Sequence, residues 1–542
     1  MSLQRVNVAR DISARWLIAD LAAVKLIIVQ LFQLVKQMWR RRDLLKFAGA
    51  GAAAELAGAS LSALAQSPQS EPFDPASVAS AARALAKKPF KPPAADLPEA
   101  FTKLTYEQYI GVRRKPGTAI WFNEQAGFAI EPLHRGFAFT APLRLNVVEN
   151  GVARHLVYDA GAYDFGAAGM APPKDDIGFS GFRVLQMHDN ADPVEIAVFQ
   201  GFSFFRALGR GQNLGAVARA LAMRVADENG EELPVFRAVW IERPSLASNA
   251  LIIHALLDSE SLAGAYRFTL RPGDATIIDT ECTLFARAAV ENFGLGAMQA
   301  SALTGPLDRR KFDDLRPEVA EVSGLQMLTG RGEWLWRPVS NRENLQISFF
   351  SDQNPRGFGF IQRERRFENY LDYDQHWEIR PSLWIEPIGD WGEGAVQLIE
   401  IPSESETNDN IVAFWRPKAP LAAGAEQSFA YRQFWCWSPP ESPPLAVATL
   451  ARSGRAGKRR RFTVGFTGDI LADLTRAADL KPMLTAGPGA IVAMRGFLSR
   501  ENKTFHVVFD LDPGNEPLCE IRLLLESGGM PLSETWLYRW TP

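Results

Sequence analysis

Residues 126–159 read AGFAIEPLHRGFAFTAPLRLNVVENGVARHLVYD, and their pattern decides the fold class. Apolar residues alternate with polar ones at period two, as they do in a strand that buries one face. The run breaks at Glu149-Asn150-Gly151, where Asn-Gly supplies the left-handed pair that a tight hairpin needs. The same texture returns in LIIHALLDS (251–259), YRFTLRPGDATIIDTECTLFA (266–286), LQISFFSD (345–352) and AVQLIEI (395–401). Helical patterning is confined chiefly to 76–88 and 216–225. The spacing predicts an all-β body of sandwich or barrel type.

Four prolines between 439 and 444, in CWSPPESPPLA, interrupt the pattern. Beyond them RRFTVGFTG, TFHVVFDLD, CEIRLLLES and SETWLYRW give about a hundred residues of short strands, the size and texture of an immunoglobulin-like sandwich. The expected division is a large β domain over 70–438, a Pro-rich linker over 439–445 and a small β domain over 446–542.

The N-terminus reads as an address. Residues 38–65, from Met38 through the Arg41-Arg42 pair to Ala63-Leu64-Ala65, have a basic start, an Ala/Gly/Leu segment and a small-x-small cleavage site. The paired arginines resemble a twin-arginine signal, which predicts export to the periplasm. Residues 1–37 carry two open readings. One is an upstream mis-start, with Met38 the true beginning; the other is a membrane helix over Trp16–Val35, for which Asp20 and Lys25 are costly.

The 542 residues are 47% hydrophobic and 22% charged, ordinary for a globular protein of several domains. The formal charge is −3, but residues 1–65 hold nine Lys/Arg against four Asp/Glu, so the remainder carries −8. That sign does not favour nucleic acid or anionic lipid as a partner. Cys282, Cys436 and Cys519 stand far apart without CxxC spacing, and the six histidines form no ligand-spaced pair. The expectation is therefore no metal and no cofactor, with one disulfide left open.

Two local motifs are resolved by their bland readings. Arg356-Gly357-Phe358-Gly359-Phe360-Ile361-Gln362-Arg363 is close to an RNA-binding signature but fails at its last aromatic position; glycines that permit close packing beside aromatics account for it better. SGRAGKRRRF (453–462) lacks the full phosphate-loop spacing and reads as a solvated basic turn. No GxSxG elbow or GxGxxG fingerprint is present.

What remains is a dense segment from Trp334 to Trp415. It interleaves Trp334, Trp336, Tyr370, Tyr373, Trp377, Trp384, Trp391 and Trp415 with Asp372, Asp374, Glu378, Glu386, Asp390, Glu400, Glu406 and Asp409. Flat rings to stack on and carboxylates to accept hydrogen bonds suit a sugar groove, and glycosidic cleavage needs two carboxyl groups. Tryptophans in sandwich cores and acids facing water give the same composition, so both readings stand.

Longer motifs carry a family resemblance. NPRGFGFIQRERRFENYLD (354–372), RPSLWIEPIGDWGEGAVQLIEIP (380–402) and NDNIVAFW (408–415) closely resemble the OpgG/OpgD (MdoG) family of periplasmic glucan biosynthesis proteins. IGFSGFRV (177–184), LLDSESLAGAYRFTL (256–270), GRGEWLWRP (330–338) and SETWLYRW (533–540) extend it from about residue 70 to the C-terminus. The twin-arginine layout looks more like the OpgD branch. The resemblance implies a large, galactose-mutarotase-like β-sandwich joined to an immunoglobulin-like domain, with a groove for β-1,2-glucan. OpgD-type members are similar to inverting endo-acting β-1,2-glucanases, and some relatives transfer the cleaved chain to sugar instead of water.

By that resemblance the Asp of the DNIV motif, Asp409, is the general acid, with Glu406 as an acidic neighbour. The family's base lies in RPEVHDSDGL; here RPEVAEVSGL (316–325) puts Glu321 at the base, with Ala320 and Ser323 replacing His and Asp. Tyr370, Trp377 and Trp384 are candidates for sugar stacking. Asp372, Arg380 and Glu406 are candidates for polar contacts, Arg380 having a buried ion pair as its other reading. The altered base segment favours transglycosylation or weak hydrolysis, and keeps open a non-catalytic glucan-binding or scaffolding role beside a membrane glucan synthase. A family-like homodimer is a further expectation.

Overall fold

A computed structural model describes residues 70–188, 191–245, 249–307, 313–473 and 479–542. The readings of 1–37 and 38–65 fall outside them. The described residues are all-β in architecture, with one helix of more than two turns among them, Ala76–Ala86, which lays Val78 and Ala82 on strands Leu251–Asp258 and Leu262–Arg271. The second expected helix, 216–225, is instead two short strands, Val217–Arg219 and Ala222–Met223, both paired antiparallel to Phe293–Ala300. Its Ala, Leu and Met residues favour a helix intrinsically, but a sheet position that buries every one of them overrides that preference.

The hairpin read from Asn150-Gly151 forms. Strands Arg144–Glu149 and Val152–His155 close with Glu149 opposite Val152, and Asn150 and Gly151 both take positive φ, 51° and 75°. This hairpin lies near one end of a sixteen-stranded sheet. A ten-stranded sheet faces it, and one core joins them: Phe358, Leu383 and Ile385 from the first meet Leu398, Ile411, Ala413 and Trp415 from the second. Phe199 and Phe205 stack at 4.9 Å on one side of that core, and Phe268 meets Phe199 edge-on at 5.6 Å from the other.

Strand Gly357–Ile361 bears out the close-packing account of 356–363. A Cβ at Gly357 would stand 2.2 Å from the Trp384 ring, so only glycine lets that indole lie across the strand. Likewise, 453–462 falls in a hairpin joining Val447–Ala456 to Arg459–Thr467.

The larger sheet does not stop at the Pro-rich segment. Strand Thr535–Trp540 pairs in parallel with Trp334–Pro338 and carries Cys519–Ser527 and Leu480–Gly487 with it. A separate four-stranded sheet, from Val447–Ala456 to Thr504–Asp512, packs over these strands on Phe462, Phe509, Trp536 and Tyr538. Fully buried Glu534 fastens the join: it accepts from Arg363 Nη1 at 2.6 Å, Arg363 Nη2 at 2.8 Å and the Ala448 amide at 2.8 Å. The three cysteines are buried free thiols.

Candidate active site

Asp409 stands two residues ahead of strand Ile411–Pro417, and Asn410 fixes its place. The Asn410 amide accepts from the Ala302 N–H at 2.9 Å and donates to the carbonyls of Ala302 and Ile401 at 3.0 and 3.1 Å. Strand Phe293–Ala300 lies alongside, with Gln299 opposite Val412. Gln299 donates Nε2 to Asp409 Oδ2 at 2.5 Å. Its Oε1 accepts from Arg219, which is itself ion-paired to Glu231, so the amide is held with its NH2 towards the acid.

Arg206 brings Nη2 to 3.8 Å from Asp409 Oδ2. Among the described residues neither Arg206 Nη atom has a hydrogen-bond partner, and neither does Asp409 Oδ1. The Asp409 side chain is only 1% exposed. Burial pushes its carboxyl up to about 7, helped by the charge of Glu321, while Arg206, the Gln299 hydrogen bond and Arg219 oppose the rise. A carboxyl in that range carries a proton for a substantial fraction of the time at neutral pH and can give it up to a leaving group.

Glu321 follows the short strand Val319–Ala320 and is fully buried. Arg380 Nη1 donates to its Oε1 and the Ser301 N–H donates to its Oε2 at 3.0 Å. Both oxygens are therefore held. Arg380 is 1% exposed in its side chain, lies 4.1 Å above the Trp377 ring and donates Nη2 to Gln375 at 2.8 Å. The buried ion pair is the reading of Arg380 that the geometry gives.

Asp372 and Glu406 meet through a residue the sequence did not single out. Arg316 donates Nη1 to Asp372 at 2.7 Å, and Nη2 to both Asp314 at 2.7 Å and Glu406 at 2.5 Å. Its hydrogen bonds to these carboxylates, Asp314 first, raise the Arg316 pKa against its partial burial. Asp372 also accepts from the Trp377 indole at 2.9 Å and from the amides of Asp374 and Gln375. Burial works to raise its pKa, but these donors outweigh it and hold Asp372 below the usual carboxylate range. Its loop is backbone-strained, with Leu371 at φ 55° and His376 at φ 47°.

The stacking expectations need correction. Tyr370 and Trp377 are fully buried against Leu303 and Val319, and Tyr370 donates to the Glu364 carbonyl. Trp384 lies apart, in the C-terminal core, stacked on Trp334 at 6.0 Å. Hydrophobic burial claims all three rings, so none offers a face to a sugar. The solvent-facing ring beside Asp372 is Tyr373, edge-on to Phe367 at 4.7 Å and 78% exposed. Among the described residues, no group of three or more His, Cys, Asp or Glu side chains is arranged to hold a metal.

Residues 73–540 match the family described as periplasmic glucan biosynthesis protein, MdoG. The chain belongs to the MdoG family. It is 43% identical over 481 residues to a glucans biosynthesis protein G of Rhodopseudomonas palustris (strain BisA53), covering 88% of this chain and 95% of the relative. It is 45% identical over 478 residues to the protein of that name from Shewanella sp. (strain ANA-3), covering 86% and 87%. Membership ties this MdoG-family chain to periplasmic glucan biosynthesis; the relatives do not separate the OpgG branch from OpgD. A solved galactose mutarotase related enzyme from Lactobacillus acidophilus aligns over 44% of this chain and 96% of its own, at 9% identity and a TM-score of 0.19, too slight a likeness to support any argument.

Proposed function

We propose that this protein cleaves or rearranges the β-1,2-linked backbone of periplasmic glucan, with Asp409 as the general acid. The observation that carries the reading is a buried carboxyl held up to about 7, kept in place by Gln299 and Asn410, with Oδ1 free of partners among the described residues. In this reaction Asp409 gives its proton to the glycosidic oxygen as the C1–O bond breaks, and the anomeric carbon takes a water or an acceptor hydroxyl from the opposite face. Glu321 is the carboxylate proposed to receive the proton of the attacking hydroxyl. Arg380 and the Ser301 N–H already engage both of its oxygens, so an attacking hydroxyl must share them, which in this reading slows hydrolysis and favours transfer to a sugar hydroxyl. The Arg316 network with Asp372 and Glu406 would present polar edges to the chain. In the same reading residues 38–65 direct export through the twin-arginine route, 446–542 form an immunoglobulin-like domain after the 439–445 linker, and the protein pairs as a homodimer.

A second reading is a glucan-binding scaffold beside a membrane synthase. The commitment of both Glu321 oxygens favours it. Incubation with linear β-1,2-glucan, followed by mass spectrometry of the products, separates the two. Shorter linear chains mean hydrolysis, cyclic or re-joined chains mean transfer, and unchanged polymer that still binds supports the scaffold. Full activity in Asp409→Asn would overturn the assignment of the acid.

A further inference from the structure

The short strand Val319–Ala320 has chemistry on both sides. Glu321, just after it, turns towards Ser301 and Arg380. Glu318, just before it, lines a different space, a cavity of about 180 Å³ at the join between the large sheet and strand Val447–Ala456. Glu318 is 6% exposed and makes no hydrogen bond or ion pair among the described residues. A buried carboxyl without a partner is costly and uncommon. The other buried carboxylates among the described residues each have at least one partner, for example Glu534 with Arg363, Glu400 with Arg337 and Ser340, and Asp258 with Arg287. Glu318 is the exception that faces a space.

The walls of the cavity indicate what fits. Pro306, Leu307 and Trp336 give it apolar surface, while Arg452, exposed on the C-terminal strand, stands at its rim. Arg363 and Arg366 also border it, both already ion-paired. Three guanidinium groups oppose a cationic ligand. Burial, with the charge of Glu364, raises the Glu318 carboxyl to about 8 against the pull of Arg452, so at neutral pH it is an OH donor as well as an acceptor. The volume holds about six waters' worth of space, below the ~300 Å³ where drug-sized sites begin. That is the scale of one pyranose ring, whose hydroxyls would meet the carboxyl and whose C–H face would meet the prolines and Trp336.

We propose that this cavity is a second carbohydrate site, taking a single neutral hexose unit with Glu318 as its polar anchor. The choice of a sugar rests on the proposed glucan function; the cavity and its unpartnered carboxyl do not. Because Glu318 and Glu321 flank the one short strand Val319–Ala320, an occupant here would also steady the backbone that carries Glu321.

The test is a D-glucose titration followed by tryptophan fluorescence and calorimetry on the full chain. Saturable binding with a Kd in the millimolar range, about −4 kcal/mol, is expected. Glu318→Leu should weaken it at least tenfold, and Ala451→Trp, which fills the cavity from the strand side, should do the same, with unchanged circular dichroism in both. Asp409→Asn should leave it intact. Loss of glucose binding in Asp409→Asn but not in Glu318→Leu would put the sugar in the active site and overturn the proposal, as would no saturable signal up to about 100 mM glucose. The product assay on wild-type protein reads the glucan function independently.

Discussion

Replacing Asp409 by Asn is expected to stabilise the protein at neutral and higher pH, because the acid is held against its own chemistry. In the unfolded chain the carboxyl ionises at its ordinary 3.8; in the fold burial holds it to about 7. A group whose folded pKa is raised adds stability that is fully present below the unfolded value and is lost as pH climbs through the folded one. Between these values the native state keeps a proton the unfolded state has released, so stability falls with pH. The gap corresponds to roughly 4 kcal/mol, most of it gone by about pH 7. Asn cannot ionise and keeps the shape, and its oxygen can still accept from Gln299. At about pH 4 wild type and variant match electrostatically, since Asp409 is then neutral in the fold and Arg206 lacks its counter-charge in both. Urea unfolding at several values between about pH 4 and pH 8 should therefore show the variant gaining on wild type by up to about 4 kcal/mol as pH rises. A difference that stays flat, or turns against the variant, would mean Asp409 is an ionised partner of Arg206, and the general-acid argument would fail.

The Arg380–Glu321 pair should behave as one unit. Arg380→Met alone strands a buried carboxylate and should cost about 3–5 kcal/mol, whereas adding Glu321→Leu should recover much of it; a double-mutant cycle in urea measures the coupling, and additive losses would argue against the pair. Gly357→Ala drives a methyl into the Trp384 ring and should cost about 1–3 kcal/mol by thermal unfolding. Arg316→Ala releases Asp314, Asp372 and Glu406 together, so amide exchange in 313–318 and 403–409 should quicken while the distant strands Thr504–Asp512 and Cys519–Ser527 keep their protection.

Strands were legible wherever the side-chain period was the whole signal. CEIRLLLES and TFHVVFDLD correspond residue for residue to Cys519–Ser527 and Thr504–Asp512. Residues 216–225 were not legible as strand, because propensity points to helix and only the neighbouring strand Phe293–Ala300 decides otherwise. Within the site, Asp409, Glu406 and Glu321 came from motifs. Arg206, Arg219 and Gln299 did not, since their role depends on strands far from Asp409 in sequence, 110 residues away for Gln299 and further for the two arginines, laying them beside it. Arg316 was within reach: it opens the RPEV segment already singled out for Glu321, and a lone arginine leading into that motif beside acidic loops was the available signal. The rings failed for a different reason. Sequence says that Trp384 is large and apolar, but not which face of its strand looks inward.

The resulting picture gives the two carboxyls opposite electrostatic fates. Asp409 is buried with too few donors to hold a full charge, so it keeps a proton. Glu321 is buried deeper but matched by a guanidinium and a backbone N–H, so it has charge-assisted support on both oxygens. The two carboxyls therefore differ in what is left free on them: Asp409 keeps Oδ1 without a partner among the described residues, and Glu321 keeps neither oxygen. At Glu321 the Arg380 ion pair occupies the oxygen that an attacking hydroxyl would need. If the reaction proceeds, weakening that ion pair by Arg380→Lys, which keeps the charge but loses the planar fork, should change the ratio of water to sugar acceptors used before it abolishes cleavage. Product ratios from the mass-spectrometric assay read this directly, and a simple loss of all products with unchanged ratios would leave Arg380 a purely structural residue.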